Sequence, residues 1–245
     1  KMRHAKHCPV CSGLRVSPHL VSKNTHGRHA LSEEKFHLWL CQTCQALFIT
    51  DLKVNSQYYR QYYASDYYDP KITYRVLFWT TKIIAAISYG IKKRKIFSYF
   101  SQRNAKISVL DVGCGSGYFL SALPKDKFDR FGVEINRQGR ELTKKLGIEV
   151  VGKELGKTKF KDKLDVITMW HVLEHVQKPI KLLKEARRLL STGGLLIIQT
   201  PNPNSLGYKI GGTRWFHLDS PRHLILYNPK TVKTLCQRAG FEITE

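Results

Sequence analysis

The sequence has 245 residues, enough for one substantial hydrophobic core and a small appended module. Its 42% hydrophobic and 24% charged residues are ordinary for a soluble globular protein, and Lys82 interrupts the most apolar stretch, which excludes a bilayer-spanning helix there. The net charge of +22 predicts an anionic partner, either nucleic acid, acidic lipid headgroups or a phosphorylated substrate, unless the basic surface is only solvated.

Two Cys-x-x-Cys pairs open the chain, formed by Cys8, Cys11, Cys41 and Cys44. Two thiolates three residues apart can grip one metal ion, and two such pairs complete a tetrahedral site with four sulfur ligands. Short strands are expected at 37–40 and 46–49, with a loop over residues 22–35. The spacing predicts a small zinc ribbon whose Zn²⁺ is structural, since four thiolates leave no open coordination position. Two disulfides are the alternative, which a cytoplasmic chain disfavours.

A connector follows that is crowded with tyrosine, namely Tyr58, Tyr59, Tyr62, Tyr63, Tyr67 and Tyr68. These residues either pack the ribbon against the next domain or form an aromatic wall for a sugar or another ring-shaped ligand. An apolar and basic helix is expected over 74–100. It can lie on an anionic membrane surface through Phe78, Trp79, Ile83 and Ile87.

The most informative stretch is 109–120, in which an apolar strand ends at Asp111 and opens into Gly113, Gly115 and Gly117. Alternating glycines permit positive φ angles and leave no Cβ between the backbone and a ligand. A second strand, expected at 131–135, brings Glu134, whose carboxylate can accept hydrogen bonds from ribose hydroxyls. The pattern predicts a parallel strand–loop–helix unit that binds a nucleoside-containing cofactor.

The glycine spacing distinguishes between cofactors. A dinucleotide loop needs a third glycine at position 118, which is Tyr118 here. Asp111 would repel a pyrophosphate but suits the cationic amino-acid end of S-adenosylmethionine. On these residues the chain resembles the class I S-adenosylmethionine-dependent methyltransferases. The resemblance implies an α/β, doubly wound, Rossmann-like sheet and a cofactor site formed by Asp111, Gly113, Cys114, Gly115, Gly117, Tyr118, Glu134, Ile135, Trp170 and His171.

The remaining elements alternate as a doubly wound sheet requires. We expect a helix over 137–146, a strand over 148–151, a strand over 164–169, a helix over 179–190 and a strand over 195–200. A further strand is expected at 241–244. Because ligands bind at the carboxyl ends of parallel strands, the glycine loop, Glu134, residues 170–171 and residues 200–202 are expected around one crevice. The resemblance also implies that the 74–100 helix covers the cofactor pocket, as the alternative to membrane contact.

The segment 215–224, Trp-Phe-His-Leu-Asp-Ser-Pro-Arg-His-Leu, resembles a signature of one methyltransferase subgroup. Members of that subgroup often carry an N-terminal four-cysteine ribbon and are associated with cell-surface polysaccharide or glycolipid synthesis. The resemblance implies a zinc ribbon over 1–56, a connector and helical cover over 57–105, and a methyltransferase domain over 106–245. Its acceptor would be a small molecule, such as a phosphorylated or lipid-linked saccharide. We expect a cytoplasmic protein, or one peripheral to the inner face of the membrane, whose native chain extends past Glu245.

Methyl transfer to a hydroxyl benefits from a general base. His217 or His223 is the expected base, with Asp219 orienting it and Arg222 holding an acceptor phosphate. His171 and Glu174-His175 also spell His-x-x-Glu-His, a zinc-protease string that the strand-end context argues against. Related quinone O-methyltransferases place metal-binding acids and a histidine here, so Glu174 and His175 can contact a divalent ion.

Two other functions remain open. The net charge and the ribbon also suit an RNA methyltransferase. Trp-His-Val-Leu after the fourth strand differs from the Asn/Asp-Pro-Pro-aromatic loop of base-amine methylation, so nucleic acid is the less favoured partner. A scaffold that binds the cofactor without turnover is the third possibility, which the intact cofactor motifs argue against.

Overall fold

The computed structural model describes residues 7–24, 34–50, 52–63, 75–158, 160 and 162–244, excluding the side chains of residues 56, 60 and 75–86. Outside the described residues lie positions 25–33 of the loop expected over 22–35, Tyr67, Tyr68 and the side chains of Phe78, Trp79 and Ile83. The chain divides into two units. The first comprises Lys1–Ala64, His171–Arg188 and Ile198–Glu245, and the second comprises Ser65–Trp170 and Leu189–Ile197. The predicted domain boundaries at 56 and 105 stay a prediction.

The described residues form strands and α-helices in the following chain order. The strands are β1 (Val16–Lys23), β2 (Lys35–Cys41), β3 (Leu47–Ile49), β4 (Ile107–Val112), β5 (Phe128–Val133), β6 (Glu149–Gly152), β7 (Leu164–Trp170), β8 (Leu190–Gln199) and β9 (Ile225–Leu226). The helices are α1 (Ser56–Tyr62), α2 (Arg75–Tyr99), α3 (Tyr118–Ser121), α4 (Arg137–Lys145), α5 (Pro179–Leu189), α6 (Leu206–Gly211) and α7 (Pro229–Arg238).

The five-stranded sheet has the order β6-β5-β4-β7-β8, and β4 pairs in parallel with both β5 and β7. Strand order reverses beside β4, which places a switch point where β4 ends and the glycine loop begins. The core on this sheet includes Val109, Leu120, Phe128 and Val166, with Ile96 from α2. This arrangement confirms the predicted Rossmann-like α/β fold.

The first unit contains a four-stranded antiparallel sheet with the order β1-β2-β3-β9. β2 and β3 match the predicted ribbon strands, and β1 was not predicted. Leu38, Leu47, Leu218 and Leu226 form its buried cluster. The segment after residue 215 therefore supplies a strand and core side chains to the sheet that carries the cysteine pairs.

Two expectations about the second half of the chain are wrong. The strand expected over 195–200 begins earlier, at Leu190, and β8 accommodates Gly193 at φ +71. Residues 241–244 form no strand, because the chain closes α7 instead: Phe241 N–H donates to Cys236 C=O and Gly240 N–H to Gln237 C=O. With Gly240 at φ +87, these two bonds are a Schellman motif.

No helix in the described part of the chain combines the length and apolarity that spanning a bilayer requires.

Candidate cofactor and acceptor sites

The glycine loop connects β4 to α3 at the switch point of the parallel sheet. Gly113, Gly115 and Gly117 have φ angles of +71, +57 and +77. L-residues with a Cβ rarely adopt this left-handed region, so the loop conformation depends on glycine. The predicted strand–loop–helix unit is therefore present, with all three glycines in the conformation that motivated the prediction.

The loop is packed closely against α4. A Cβ at Gly117 would lie 2.9 Å from Thr143 Oγ1, and one at Gly139 would lie 2.9 Å from Gly115 O. The Thr143 hydroxyl donates to Gly115 O over 2.9 Å. Sequence reasoning missed Thr143 and Gly139, although a glycine early in an otherwise polar helix is a signal of close backbone approach.

Glu134 lies one residue beyond β5, and its side chain is held in place. It is 5% exposed, and its two oxygens accept the backbone N–H groups of Gly115 over 2.9 Å and Asn136 over 2.7 Å. Each carboxylate oxygen keeps a further lone pair. The carboxylate is thus fixed relative to the loop and can still accept hydrogen bonds from a ligand.

Asp111 is buried near the end of β4. The Thr168 hydroxyl donates to it over 2.7 Å. The pKa of Asp111 is raised to about 7. Burial is the largest cause and raises it, and the Thr168 hydrogen bond and the nearby Lys92 charge offset only part of this rise. A cationic ligand group beside Asp111 would favour its ionised form, which suits the amino-acid end of S-adenosylmethionine.

The other predicted cofactor residues in the second unit differ in accessibility. Tyr118 and Ile135 are 60% and 53% exposed, so their apolar surfaces are available to a ligand. Cys114 belongs to the buried core, which raises its thiol pKa to about 12 and leaves it unreactive. The Trp170 ring packs edge-on against Phe119, and Lys92 Nζ lies 4.0 Å from its centroid.

His171 begins the part of the first unit that follows β7, and its backbone has φ +56. Its Nδ1–H donates to Glu174 Oε1 over 3.2 Å, and its Nε2 lies 3.2 Å from Gln199 Nε2. Glu174 is fully buried and also accepts the Thr200 hydroxyl over 3.0 Å. Burial alone would raise the pKa of Glu174, but the hydrogen bond from His171 and the electrostatic effect of His175 lower it. Glu174 therefore fixes both His171 and residue 200.

The predicted catalytic residues lie together in the first unit. His223 is 7% exposed, donates from Nδ1 to His217 O over 2.8 Å and has Nε2 3.7 Å from Asp219 Oδ2. Burial lowers the pKa of His223 to about 4, so the ring is neutral at pH 7. His217 is exposed, and its ring stacks on that of His171 with centroids 6.3 Å apart.

Arg222, which was predicted to hold a phosphate of the acceptor, is already paired with Asp219. Arg222 Nε donates to both Asp219 oxygens over 3.0 Å. Arg222 O also accepts His175 Nδ1–H over 2.9 Å, and that nitrogen lies 2.9 Å from the Tyr63 hydroxyl. The Asp219–Arg222 pair therefore organises the loop that carries both His217 and His223.

The connector tyrosines make specific packing contacts. Tyr58 and Tyr62 are buried; the Tyr58 hydroxyl donates to Pro221 O over 3.1 Å and that of Tyr62 to Glu34 over 2.6 Å. These contacts favour the packing role of the connector over an aromatic ligand wall.

The four N-terminal cysteines converge, with all sulfur atoms within 4.8 Å of one another. Cys8 Sγ lies 3.6 Å from Cys44 Sγ, and Cys11 Sγ lies 3.5 Å from Cys41 Sγ. A tetrahedral zinc site with Zn–S bonds of about 2.3 Å spaces its sulfurs by about 3.8 Å. The cysteines are free thiols, and the donor set fits Zn²⁺ and differs from the predicted alternative of two disulfides.

Comparisons with known proteins identify the family of the chain. The methyltransferase-domain family profile matches residues 89–245. The ubiquinone biosynthesis O-methyltransferase of Coxiella burnetii is 33% identical over 107 residues, which cover 41% of this chain and 46% of that protein. The chain thus spans about half the length of the curated relatives it matches.

Solved structures show the same fold. A SAM-dependent methyltransferase from Archaeoglobus fulgidus is 26% identical, with a TM-score of 0.50 over 63% of this chain and 69% of that one. The plantazolicin methyltransferase BamL, solved with a triazolic desmethylPZN analogue and SAH, is 22% identical, with a TM-score of 0.53 over 65% of this chain and 64% of that one. The family profile covers more than half of the chain and includes the whole glycine loop with Glu134. The chain therefore belongs to the family of class I S-adenosylmethionine-dependent methyltransferase domains.

Proposed function

We propose that the chain transfers a methyl group from S-adenosylmethionine to an oxygen atom of a small saccharide or glycolipid-type acceptor. The observation that carries the cofactor half is the buried Glu134 carboxylate, fixed by Gly115 N–H and Asn136 N–H beside three left-handed glycines. The bound cofactor would supply a methyl group that its sulfonium has already activated. The protein then has to hold the acceptor in line, which can lower the barrier by about 7–11 kcal/mol.

Each predicted cofactor residue has a proposed role. Glu134 would accept the ribose hydroxyls, and ionised Asp111 would hold the cationic amino-acid end. The loop glycines would let the backbone approach the ligand, with Tyr118 and Ile135 covering apolar parts of it. Trp170 and His171, at the end of β7, are the remaining proposed contacts.

For the acceptor half, we propose His217 as the general base. Of the two predicted histidines, His217 is exposed, whereas His223 is buried. Asp219 would position the loop through its pair with Arg222. A base of this kind contributes about 10²–10⁴-fold to the rate.

The acceptor class is supported by two features. The sequence resemblance at 215–224 is to a subgroup associated with surface polysaccharides and glycolipids, and relatives are named O-methyltransferases. The net charge of +22 favours a phosphorylated or lipid-linked form of the saccharide. Zn²⁺ at Cys8, Cys11, Cys41 and Cys44 would be structural, because four thiolates fill its coordination sphere.

The test is methyl transfer from labelled S-adenosylmethionine to sugar nucleotides, lipid-linked saccharides and RNA. We expect label in a saccharide acceptor and none in RNA. His217→Ala should lower turnover about 10²–10⁴-fold, whereas His19→Ala, which removes another exposed histidine, should not. Label in RNA alone would overturn the acceptor assignment, and full turnover by His217→Ala would overturn the base assignment.

A further inference from the structure

Among the described side chains of helix α2, one group of apolar residues packs into the core of the second unit and another is exposed. Ile96 is fully buried in the core, and the Phe97 ring contacts Phe128 with centroids 4.9 Å apart. On another face, Ile87 and Ile91 are 59% and 56% exposed. Aliphatic side chains one helical turn apart normally face a core, so this exposed pair indicates a surface that meets an apolar medium.

The exposed face is also basic. Ile87, Gly90, Ile91, Lys93, Arg94 and Phe97 line one shallow groove along the helix. The sequence of α2 contains no acidic residue, while Lys92-Lys-Arg-Lys95 places four cations in a row. Lys92 is turned away to the Trp170 ring, and Arg94 and Lys95 are exposed. The face therefore combines bare aliphatic side chains with positive charge that no residue of the helix neutralises.

We propose that this face of α2 docks on an anionic phospholipid bilayer, with Ile87 and Ile91 entering the acyl boundary and Lys93 and Arg94 meeting the headgroups. A basic amphipathic helix of this kind lies in the plane of the interface, and α2 lacks the apolarity to cross it. RNA would use the cations but gain nothing from the isoleucines. An anionic bilayer satisfies both features, so the charge and the apolar pair together favour it.

Binding to an anionic bilayer is a property beyond the proposed methyl transfer, and it can be measured without any methyl acceptor. The probe is sedimentation with vesicles of equimolar phosphatidylserine and phosphatidylcholine, against vesicles of phosphatidylcholine alone. We expect binding to the anionic vesicles that weakens as salt rises. Lys93→Gln/Arg94→Gln should lower the partition coefficient about 30-fold. Ile87→Ser/Ile91→Ser should lower it about tenfold or more.

Two matched controls separate the patch from bulk properties. Lys125→Gln/Lys127→Gln removes the same charge from exposed positions elsewhere, and Leu14→Ser/Val21→Ser removes two other exposed aliphatic side chains. Both controls should bind vesicles like the unmodified protein. All variants should keep their cofactor affinity and thermal unfolding temperature, since the altered side chains lie on the surface.

The proposal would be overturned if the protein bound anionic and neutral vesicles equally. It would also be overturned if both α2 variants bound anionic vesicles as tightly as the unmodified protein does. Binding of single-stranded RNA that depends on Lys93 and Arg94 but not on the isoleucines, without vesicle binding, would assign the face to RNA instead. If the unmodified protein does not bind S-adenosylmethionine, the proposed function is refuted, but the vesicle measurement still tests the membrane proposal.

Discussion

Replacing Gly117 by alanine tests whether the loop conformation and its contact with α4 build the cofactor site. Gly117 has φ +77, where an alanine costs about 1–2 kcal/mol. The new Cβ would lie 2.9 Å from Thr143 Oγ1 and 3.1 Å from Thr143 Cα. The hydroxyl can rotate away but the backbone Cα cannot, so overpacking adds about 1–3 kcal/mol.

The free energy of unfolding should therefore fall by about 2–5 kcal/mol. For a chain of this size, that lowers the unfolding temperature in a calorimetric scan by about 4–20 °C. Because relief of the clash moves the loop, S-adenosylmethionine affinity should fall at least tenfold when measured by titration calorimetry.

Gly193→Ala is the matched control. Gly193 has φ +71, and the added Cβ would meet no described heavy atom within 4 Å beyond its chain neighbours. It should lose only about 1–2 kcal/mol and keep its cofactor affinity. Equal destabilisation by the two substitutions would refute the packing argument, and unchanged affinity in Gly117→Ala would refute the role of the loop.

Two further predictions concern Asp111 and the cysteine cluster. Thr168→Val removes the hydroxyl that stabilises ionised Asp111, so the pKa of Asp111 should rise further. Because the cationic ligand binds the ionised form, the pH at which half of the cofactor affinity is lost on acidification should move upward. Titration calorimetry across about pH 6 to 9 measures this midpoint. An unmoved midpoint would contradict the Asp111 assignment. The purified protein should release one zinc ion on thiol modification, and Cys41→Ser should lose it while Cys236→Ser, a buried thiol outside the cluster, keeps it. A zinc-free folded protein would contradict the metal assignment.

The conformation of the glycine loop and the position of Glu134 could be predicted because their signals are local in sequence. The run from β4 into Gly113, Gly115 and Gly117 encodes its own backbone conformation, and Glu134 follows the next strand directly. Thr143 was missed because a threonine inside a polar helix has no local signature; its importance comes from its contact with Gly117.

The ends of strands were harder to predict, because the pattern of apolar side chains does not show which backbone groups bond elsewhere or which glycines a strand can accommodate. The apolar residues at 241–244 suggested a strand, but Gly240 closes α7 and takes the N–H of Phe241 for the helix end. Likewise, the strand expected over 195–200 begins at Leu190, because β8 accommodates the positive φ of Gly193.

Long-range pairing could not be predicted at all. β9 pairs with β3 although Leu47 and its partner Leu226 are 179 residues apart in the chain. Neither short segment has a sequence pattern that predicts the other as its partner. That pairing helps to explain why His223, which precedes β9 and was one of the two expected general bases, is buried with a pKa of about 4. His217, a few residues earlier, remains exposed.

The central claim is that Glu134 and the glycine loop bind S-adenosylmethionine, and titration calorimetry with Glu134→Gln tests it most directly. An amide in place of the carboxylate turns one acceptor into a donor that faces the N–H of Gly115 or Asn136. We predict one cofactor molecule per chain in the unmodified protein and in Glu149→Gln, an exposed carboxylate control, and about 5- to 150-fold weaker binding in Glu134→Gln. No binding by the unmodified protein, or equal affinity in Glu134→Gln, would contradict the account.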